Sequence, residues 1–489
     1  MNDWPDRRHA LVKGLQSILP AESVLSTPET MRPYECDGLS AYRELPGVVC
    51  LADTVAEVQA VLCLCHQLQV PVVPRGAGTG LSGGALPHHQ GLLLGLAKMS
   101  RILEIDAENL CARVEPGVRN LALSEATRPL GLYYAPDPSS QIACTIGGNV
   151  AENSGGIHCL KYGLTVHNVI GLKIVTMEGE LLEIGGKTLD APGYDLLALL
   201  CGSEGLLGVV VEITVRLLPV PERAQILLAA FATVESAGEA VGNIIAAGII
   251  PAGLEMMDKL AIQAVEDFVH ANYPIEAAAI LLCELDGANA EVSESILRVR
   301  QIMIESGAFE VRTAKDEEER AAFWQGRKAA FPAVGRIAPD YYCMDGTIPR
   351  RSLPKVLTRM AELSREFGLP VANVFHAGDG NLHPLILFDA NKAGELKQAE
   401  AFGRRIMELC ISVGGTITGE HGVGVEKLDG MCKQFKPLEL SQFHSVKAAF
   451  DSAGLLNPGK GVPTLHRCAE FGAMHIHHGN LPHPELERF

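Results

Sequence analysis

Two histidines on either side of a turn sequence are the residues of this chain whose spacing first suggests chemistry. His376 and His383 flank Asp379-Gly380, and an Asp-Gly pair between two apolar runs predicts a type I′ hairpin. In such a hairpin residues 376 and 383 pair directly, which places their Cβ atoms roughly 5 Å apart on one face of the sheet. The two imidazoles could then share a metal ion, although an isolated histidine pair is more often an ordinary pair on a sheet surface.

A second candidate segment, Gly419-Glu-His-Gly422-Val-Gly424, carries Glu420 next to His421. Its glycines allow a ligand to approach the backbone closely. Two imidazoles and one carboxylate with open coordination positions suit Zn²⁺, Mn²⁺ or Fe²⁺. The residue types therefore favour a metal site that includes His376, His383 and Glu420.

A glycine-dense loop contains five glycines between residues 76 and 84. Gly78–Gly83 matches the G-x-G-x-x-G pattern of a dinucleotide-binding turn, with Glu104 about 20 residues further on. That mechanism needs a helix to begin inside the loop, whereas residues 85–91 read as a turn before the strand-like Leu92–Leu96. We therefore favour a nest of backbone N–H groups that binds a diphosphate, over a dinucleotide-binding turn or a glycine turn without a ligand.

Two further glycine-rich segments, residues 136–156 and 202–205, have the same character. Three such segments in one domain suggest a long ligand that lies across several loops, because a mononucleotide would need only one. Together with the histidines and the carboxylate, they predict a metal-assisted oxidoreductase with a diphosphate-containing cofactor.

Composition excludes several classes of function. The 489 residues carry a formal charge of −17 without a dominant basic stretch, so nucleic acid is not an expected partner. The 13 cysteines include no Cys-x-x-Cys pair, which argues against a ferredoxin-type iron–sulfur cluster and a Cys-rich zinc site and favours buried free thiols in a reducing compartment. Because no signal peptide or membrane-spanning stretch is recognisable, we expect a cytoplasmic protein.

The elements that must position these residues form two patterns. Up to a boundary near Pro219-Val220-Pro221, strands alternate with helices, one of which begins at a Thr54-x-x-Glu57 capping box. Within this part we expect residues 133–163 to be irregular and Leu206–Leu218 to form a long buried strand that ends at this boundary. From 223 to 412 longer helices alternate with strands, which predicts a second α+β domain.

Six motifs carry a resemblance to a known family. PRGAGTGLSGGA, PDPSSQIACTIGGNVAENSGG and GSEGLLGVVVEITV resemble the flavin domain of the vanillyl-alcohol-oxidase superfamily of FAD enzymes. FHAGDGNLHP, GEHGVG and LNPGK resemble its 2-hydroxy-acid dehydrogenase branch. Over nearly the whole chain, the resemblance is strongest to the family of catalytic FAD subunits of bacterial glycolate oxidases.

The resemblance implies an α+β fold with four segments. A PCMH-type FAD-binding domain made of two α+β subdomains would span residues 1–222. An α+β cap domain with an antiparallel sheet would follow over residues 223–412 and bind the substrate. A C-terminal helical segment, residues 413–464, would return to the flavin and complete the site, and residues 465–489 would form a tail.

The resemblance also implies the residues that bind FAD, noncovalently because the first loop contains no histidine. The loop at 75–81 would hold the pyrophosphate, and residues 136–156 and 202–210 would wrap the adenine, the ribose and the isoalloxazine. The implied cofactor-binding residues are Pro74, Arg75, Gly76, Ala77, Gly78, Thr79, Gly80, Leu81, Pro136, Asp137, Ser140, Ile146, Gly147, Gly148, Asn149, Ser154, Gly155, Glu204, Gly205, Val209, Val210 and Asn457.

At the metal site the resemblance implies a division of roles. His376, His383 and Glu420 would ligate a divalent metal ion beside the flavin. His421 would be the catalytic base, and Arg327, in a W-x-x-R motif, would bind the substrate carboxylate. The reaction would oxidise glycolate to glyoxylate, or D-lactate to pyruvate: the metal lowers the pKa of the substrate hydroxyl, the base removes its proton, and hydride passes to flavin N5.

Reduced flavin must pass its electrons on, and the sequence shows no ligand set for haem or an iron–sulfur cluster. The resemblance implies a complex with a second FAD-domain-like subunit and an iron–sulfur subunit, with contact to the inner membrane only through those partners. Two alternatives stay open: a stand-alone FAD-dependent D-lactate or other D-2-hydroxy-acid dehydrogenase, and a non-enzymatic flavin-fold scaffold whose partner does the chemistry.

Overall fold

The computed structural model describes residues 4–188 and 192–464. Its N-terminal part contains two main sheets. The first is parallel except for its first strand and runs in the order Val24–Leu25, Val48–Leu51, Leu92–Gly95, Val72–Arg75. The second is antiparallel and runs in the order Ile102–Asp106, Cys111–Val114, Val209–Arg216, Val169–Val175, Leu181–Gly185. The short strands Leu132–Tyr133 and Leu218–Pro219 pair separately.

Helices cover these sheets and connect their strands. The α-helices of this part are Trp4–Ile18, Pro28–Met31, Val55–Leu68, Asn120–Thr127, Ile146–Glu152, Cys159–Tyr162 and Leu196–Leu200. The helix Val55–Leu68 begins at the predicted capping box: the Thr54 hydroxyl accepts from the Glu57 N–H at 3.2 Å, and the Glu57 carboxylate accepts from the Thr54 N–H at 3.1 Å. This reciprocal pair satisfies two N–H groups that the first turn cannot pair.

A large antiparallel sheet forms the second part. Its strands run in the order Ala308–Thr313, Arg223–Phe231, Ala279–Gly287, Gly253–Asp258, Val371–His376, Asn381–Leu382, Gly346–Thr347, and Asp340–Cys343 and Pro384–Phe388 extend it beside Val371–His376. Its α-helices are Val234–Ala246, Lys259–Val269, Asn289–Glu305, Glu317–Val334, Leu353–Phe367 and Glu395–Ser412.

Helices bury both faces of this sheet, which explains its nearly continuous apolar strands. On Arg223–Phe231, Leu227 and Ala229 pack into one core with the helices Val234–Ala246 and Leu353–Phe367. Ile226 and Leu228 pack into the opposite core. Successive side chains of a strand point to opposite faces, so a strand that is covered on both sides cannot alternate apolar and polar residues.

The C-terminal segment returns to the first sheet. After the helices Leu428–Gln434 and Pro437–Phe450, the Asn457 N–H donates to the Val72 carbonyl at 2.8 Å. Leu456 also forms a parallel bridge with Val72. The segment around Leu456 is therefore bonded to the edge strand Val72–Arg75 of the N-terminal sheet.

Two local predictions were wrong. Residues 146–152 form a helix, because Thr145 caps it with its hydroxyl accepting from the Gly148 N–H at 3.3 Å. The strand predicted from Leu206 begins only at Val209. Eleven cysteines of the described residues are free thiols, as expected.

The hairpin between the two histidines also differs from the type I′ prediction. Residue 376 pairs with residue 381, not with 383, which makes a four-residue turn. Only Gly380 has a positive φ, at 83°, whereas a type I′ turn needs it at both central residues. The Asp379 carboxylate instead accepts from the Asn381 N–H at 3.0 Å. His383 thus lies two residues beyond the paired position, still on the same face as His376.

Two expectations concern the ends of the chain and the membrane. The predicted tail, residues 465–489, lies outside the described residues. Within the described ranges, no helix is both long enough and apolar enough to cross a membrane.

Candidate active site

One cleft brings the three glycine-rich segments together with the candidate metal cluster. Most of the implied cofactor-binding residues line it: Pro74, Arg75, Gly76, Ala77, Gly78, Thr79, Gly80, Leu81, Ser140, Gly147, Gly148, Asn149, Ser154, Glu204, Gly205, Val209 and Val210. His383, Glu420 and His421 line the same cleft. A ligand bound across the glycine-rich segments would therefore end beside these three side chains.

The first loop has the shape expected of a cofactor cradle. Gly78 has a φ of 70°, and a Cβ there would clash with the guanidinium of Arg75. Gly80 is different: its φ is not positive and no protein atom lies closer than 3.6 Å to where its Cβ would be. Neither backbone strain nor packing within the chain requires glycine at 80, so the missing side chain leaves room for a bound molecule.

Five of the implied residues support the cleft without lining it. The Pro136 carbonyl accepts from the Asn120 side-chain amide, and Ile146 is buried in the core. The Asp137 carboxylate accepts from the His158 N–H, and the Gly155 N–H donates to the Glu420 carboxylate. The Asn457 amide donates to the Gly84 carbonyl at 3.0 Å and to the Glu204 carbonyl at 2.7 Å. It ties two cleft-lining loops together.

Asp137 belongs to an ionic cluster between the two parts of the molecule. Its carboxylate lies 2.8 Å from Nδ1 of His158, whose Nε2 lies 3.2 Å from Glu284 of the large sheet. Burial disfavours the charged imidazole, but the two carboxylates raise the pKa of His158 well above its usual value. The charged histidine therefore links the cofactor side to the sheet.

The three predicted metal ligands lie together. Their ligand atoms are all within 4.8 Å of one another. Glu420 Oε1 lies 3.3 Å from Nε2 of His376 and 3.2 Å from Nε2 of His383. The predicted hairpin register was wrong, because His383 lies two residues beyond the position paired with His376. The ring centroids of the two histidines are nevertheless only 5.1 Å apart.

The donor set fits a divalent metal ion. Nε2 of His383 is buried and makes no hydrogen bond within the described chain, despite its closeness to Glu420. A buried polar atom without a partner is costly, and two imidazoles with one carboxylate are a recurrent ligand set for Zn²⁺, Mn²⁺ or Fe²⁺. Burial opposes ionisation of Glu420, yet the neighbouring imidazoles of His376 and His383 hold its pKa well below the usual value.

A glutamate that the sequence did not reveal orients the first of these ligands. Glu255 Oε1 lies 2.7 Å from Nδ1 of His376, opposite the nitrogen that faces Glu420. A carboxylate behind a ligating imidazole fixes the ring and raises its basicity. Burial disfavours the charged ring, but Glu255 and Glu420 raise the pKa of His376 well above its usual value.

Arg327 is bonded to the same glutamate. Its Nε and Nη2 lie 2.8 and 2.7 Å from Glu255 Oε2, and both side chains are almost completely buried. Arg327 does not line the cleft, whereas Phe331, one helical turn later, does. The Phe331 ring centroid lies 6.5 Å from that of His383.

His421 has the environment of a neutral base. Its ring stacks on that of His383 with centroids 5.0 Å apart, and its Nδ1 is buried without a hydrogen-bond partner in the described part of the chain. Desolvation lowers the pKa of His421 to about 4. The imidazole is therefore uncharged at physiological pH.

Two family models match this chain, and their descriptions are consistent with a cofactor-binding cleft. Residues 46–185 match the family described as FAD binding domain, and residues 220–461 match the C-terminal domain of FAD linked oxidases.

Several curated proteins are similar over most of their length. The glycolate oxidase subunit GlcD of Escherichia coli K12 is 63% identical over 99% of this chain and 97% of its own. The subunit of that name from Bacillus subtilis is 40% identical over 87% of this chain and 91% of its own. A D-lactate dehydrogenase of Anaerostipes hadrus is 32% identical over 92% of this chain and 96% of its own.

Solved structures share the fold. A substrate-bound p-cresol methylhydroxylase superposes with a TM-score of 0.78 at 17% identity, covering 94% of this chain and 98% of its own. An alkyldihydroxyacetonephosphate synthase superposes with a TM-score of 0.73 at 18% identity, covering 92% of this chain and 85% of its own. These likenesses confirm the predicted PCMH-type α+β architecture.

Proposed function

This chain belongs to the family of FAD-linked oxidases, and we propose that it oxidises glycolate to glyoxylate, and D-lactate to pyruvate, as the catalytic subunit of a glycolate oxidase. The observation that carries the proposal is the single cleft in which the glycine-rich segments meet His383, Glu420 and His421. The 63% identical glycolate oxidase subunit GlcD supports the choice of substrate.

Two bound groups complete this site. FAD, which the cleft-lining residues would hold noncovalently, would supply the hydride acceptor. A divalent metal ion, which His376, His383 and Glu420 would hold, would supply a Lewis acid.

His421 moves the proton. Because desolvation keeps its imidazole neutral, one ring nitrogen has a lone pair that can accept the substrate hydroxyl proton. The stacked ring of His383 fixes the plane of that imidazole. Loss of the proton raises the electron density at the alkoxide carbon and favours departure of hydride.

We retain Arg327 as the group that binds the substrate carboxylate, since the guanidinium fork suits a carboxylate. Glu255 engages Nε and Nη2, and Arg327 does not line the cleft, so the substrate carboxylate would have to reach the remaining N–H groups of the guanidinium. Its fixed position behind His376 would orient the substrate relative to the metal ligands.

The segment boundaries 1–222, 223–412 and 413–464 belong to the same proposal. The first segment contributes the glycine-rich segments, the second contributes His376 and His383, and the third contributes Glu420 and His421. Electrons would leave through a second FAD-domain-like subunit and an iron–sulfur subunit, in the cytoplasm and at the inner membrane only through those partners. The word subunit in the relatives' names supports an assembly of this kind.

A stand-alone FAD-dependent dehydrogenase for D-lactate or another D-2-hydroxy acid is the second candidate. The 32% identical D-lactate dehydrogenase of Anaerostipes hadrus favours it.

Anaerobic mixing of the purified protein with glycolate, D-lactate or D-2-hydroxyglutarate tests both. We expect glycolate to bleach the flavin absorbance fastest, and a chelator to abolish the bleaching. His421→Gln, which keeps the size and polarity of the side chain, should bind FAD but reduce it at least about 100-fold more slowly, the lower range for a general base. Faster bleaching by D-lactate or D-2-hydroxyglutarate would favour the substrates of the second candidate over glycolate, and no bleaching by any of the three acids would refute the proposal.

A further inference from the structure

The loop that carries Glu420 and His421 is neither helix nor strand. It occupies residues 419–424, between the helices Glu395–Ser412 and Leu428–Gln434. Its backbone N–H groups therefore need partners from elsewhere in the fold. Two buried carboxylates from distant parts of the sequence provide them.

Asp345, next to the strand Asp340–Cys343, binds the first half of the loop. It accepts from the N–H groups of Gly419 at 3.0 Å, Glu420 at 3.1 Å and His421 at 2.8 Å. Its side chain is fully buried, and the equally buried ammonium of Lys427 lies 3.1 Å away. The opposite charge compensates the burial of the carboxylate.

Glu204 binds the second half from the cofactor side. Its Oε1 accepts from the Val423 N–H and its Oε2 from the Gly424 N–H, each at 2.7 Å. The backbone of Glu204 is held in turn: its N–H donates to the Ala151 carbonyl at 2.8 Å, and its carbonyl accepts from Asn457. This fixation holds a non-glycine residue at a φ of 51°, which costs about 1 kcal/mol or more.

We infer that Glu204 and Asp345 are positioning residues that hold the metal ligand Glu420 and the base His421 at the cofactor cleft. The inference rests on the proposed function, and it changes the role that the family resemblance implied for Glu204. Each of its carboxylate oxygens accepts a loop N–H group, so we assign its side chain to the loop. The turn that lines the cofactor cleft is thereby tied to the residues that do the chemistry.

Packing around the loop is tight at Gly422. Gly422 has a φ of 79°, and a Cβ there would clash with the carboxylate of Glu152. The Gly422 carbonyl accepts from Lys427 Nζ at 3.0 Å. The loop is therefore located by charge and hydrogen bonds on both sides, and weakening one side should shift Glu420 and His421 together.

The full chain with bound FAD, carrying Glu204→Gln, tests the inference. An amide can accept only one of the two N–H groups, and its own N–H₂ opposes the other. We expect unchanged FAD content, about 10- to 100-fold weaker Mn²⁺ binding measured by electron paramagnetic resonance, and a similar fall in the rate of flavin reduction at saturating glycolate. The KM for glycolate should change little. Glu204→Asp keeps the charge but falls short of the loop, so it should change both measurements in the same direction.

Glu115→Gln is the matched control, because it removes a buried carboxylate of the cofactor half that bonds to Arg101 and, within the described chain, has no bond to the loop 419–424. If it weakens Mn²⁺ binding as much as Glu204→Gln, the charge rather than the two N–H contacts matters and the inference is wrong. Loss of FAD with unchanged Mn²⁺ affinity would make Glu204 a cofactor ligand instead. If wild-type protein reduces no flavin with any hydroxy acid while Glu204→Gln still weakens Mn²⁺ binding, the proposed function fails and the positioning role stands.

Discussion

Replacing Glu255 by glutamine should destabilise the protein through a residue that does not touch the cleft. Glu255 is bonded to Arg327 at 2.7 and 2.8 Å and to His376 at 2.7 Å, and it is 1% exposed. Glu255→Gln removes the negative charge and leaves the buried guanidinium without an anionic partner. Breaking a buried pair on one side costs about 3 to 5 kcal/mol. The amide oxygen still accepts one hydrogen bond, so we expect the lower end, about 3 kcal/mol.

Urea unfolding of the holoprotein measures this loss as a lower midpoint. A double-mutant cycle sharpens it: Glu255→Gln with Arg327→Met removes both charges, and should cost at least about 1 kcal/mol less than the two single variants added together. Glu408→Gln, in a solvent-exposed pair with Arg405 at 3.0 Å, is the control and should cost less than about 1 kcal/mol. Additive single effects, or a Glu255→Gln midpoint as high as that of the control, would refute the buried pair.

Three further outcomes follow from other contacts. The raised pKa of His158 should stabilise the folded protein fully below pH about 6.5, the usual histidine pKa, and this contribution should fade as pH rises through the raised pKa. His158→Gln should therefore flatten the pH dependence of the urea midpoint, and an unchanged slope would exclude the charged histidine. Phe331→Ala should raise kcat/KM for larger 2-hydroxy acids relative to glycolate about 10- to 200-fold. Tyr341 lies outside the cleft, with its ring centroid 6.1 Å from that of Phe331, so Tyr341→Ala should leave this preference unchanged. Equal kcat/KM ratios for the two variants would contradict a specificity role for Phe331. Thr54→Ala should lower the free energy of unfolding by about 1 kcal/mol through loss of the helix cap, and a loss of under about 0.3 kcal/mol would contradict it.

Local sequence patterns predicted the local parts of the fold. The helix Val55–Leu68 was predictable because its cap and its buried stripe lie within one short segment. The helix Ile146–Glu152 was not, because Gly147 and Gly148 disfavour a helix. Its close contact with Pro116, where a Cβ on Gly147 would clash, comes from the tertiary structure. Propensity within the segment could not show that contact.

The residues of the candidate site also fall into two groups, those that the sequence could reveal and those that it could not. His376, His383 and Glu420 were recognisable by residue type and by their glycine-rich surroundings. Glu255 and Asp345 were not, since Glu255 contacts His376 across 121 residues of sequence and Asp345 contacts Glu420 across 75. An inward-facing residue on a strand or beside one carries no signal of the partner it meets, so only the tertiary structure reveals these carboxylates.

The return of the C-terminal segment to the first sheet also bears on how the protein is made. Asn457 bonds to Gly84 across 373 residues, and a ribosome adding about 5 to 20 residues per second needs about 20 to 75 s to synthesise that interval. The cofactor half thus emerges from the ribosome long before its last stabilising contacts exist. Insertion of FAD should be a late event in biogenesis, and a nascent chain stalled before residue 457 should hold the flavin poorly even though every glycine-rich segment has been translated.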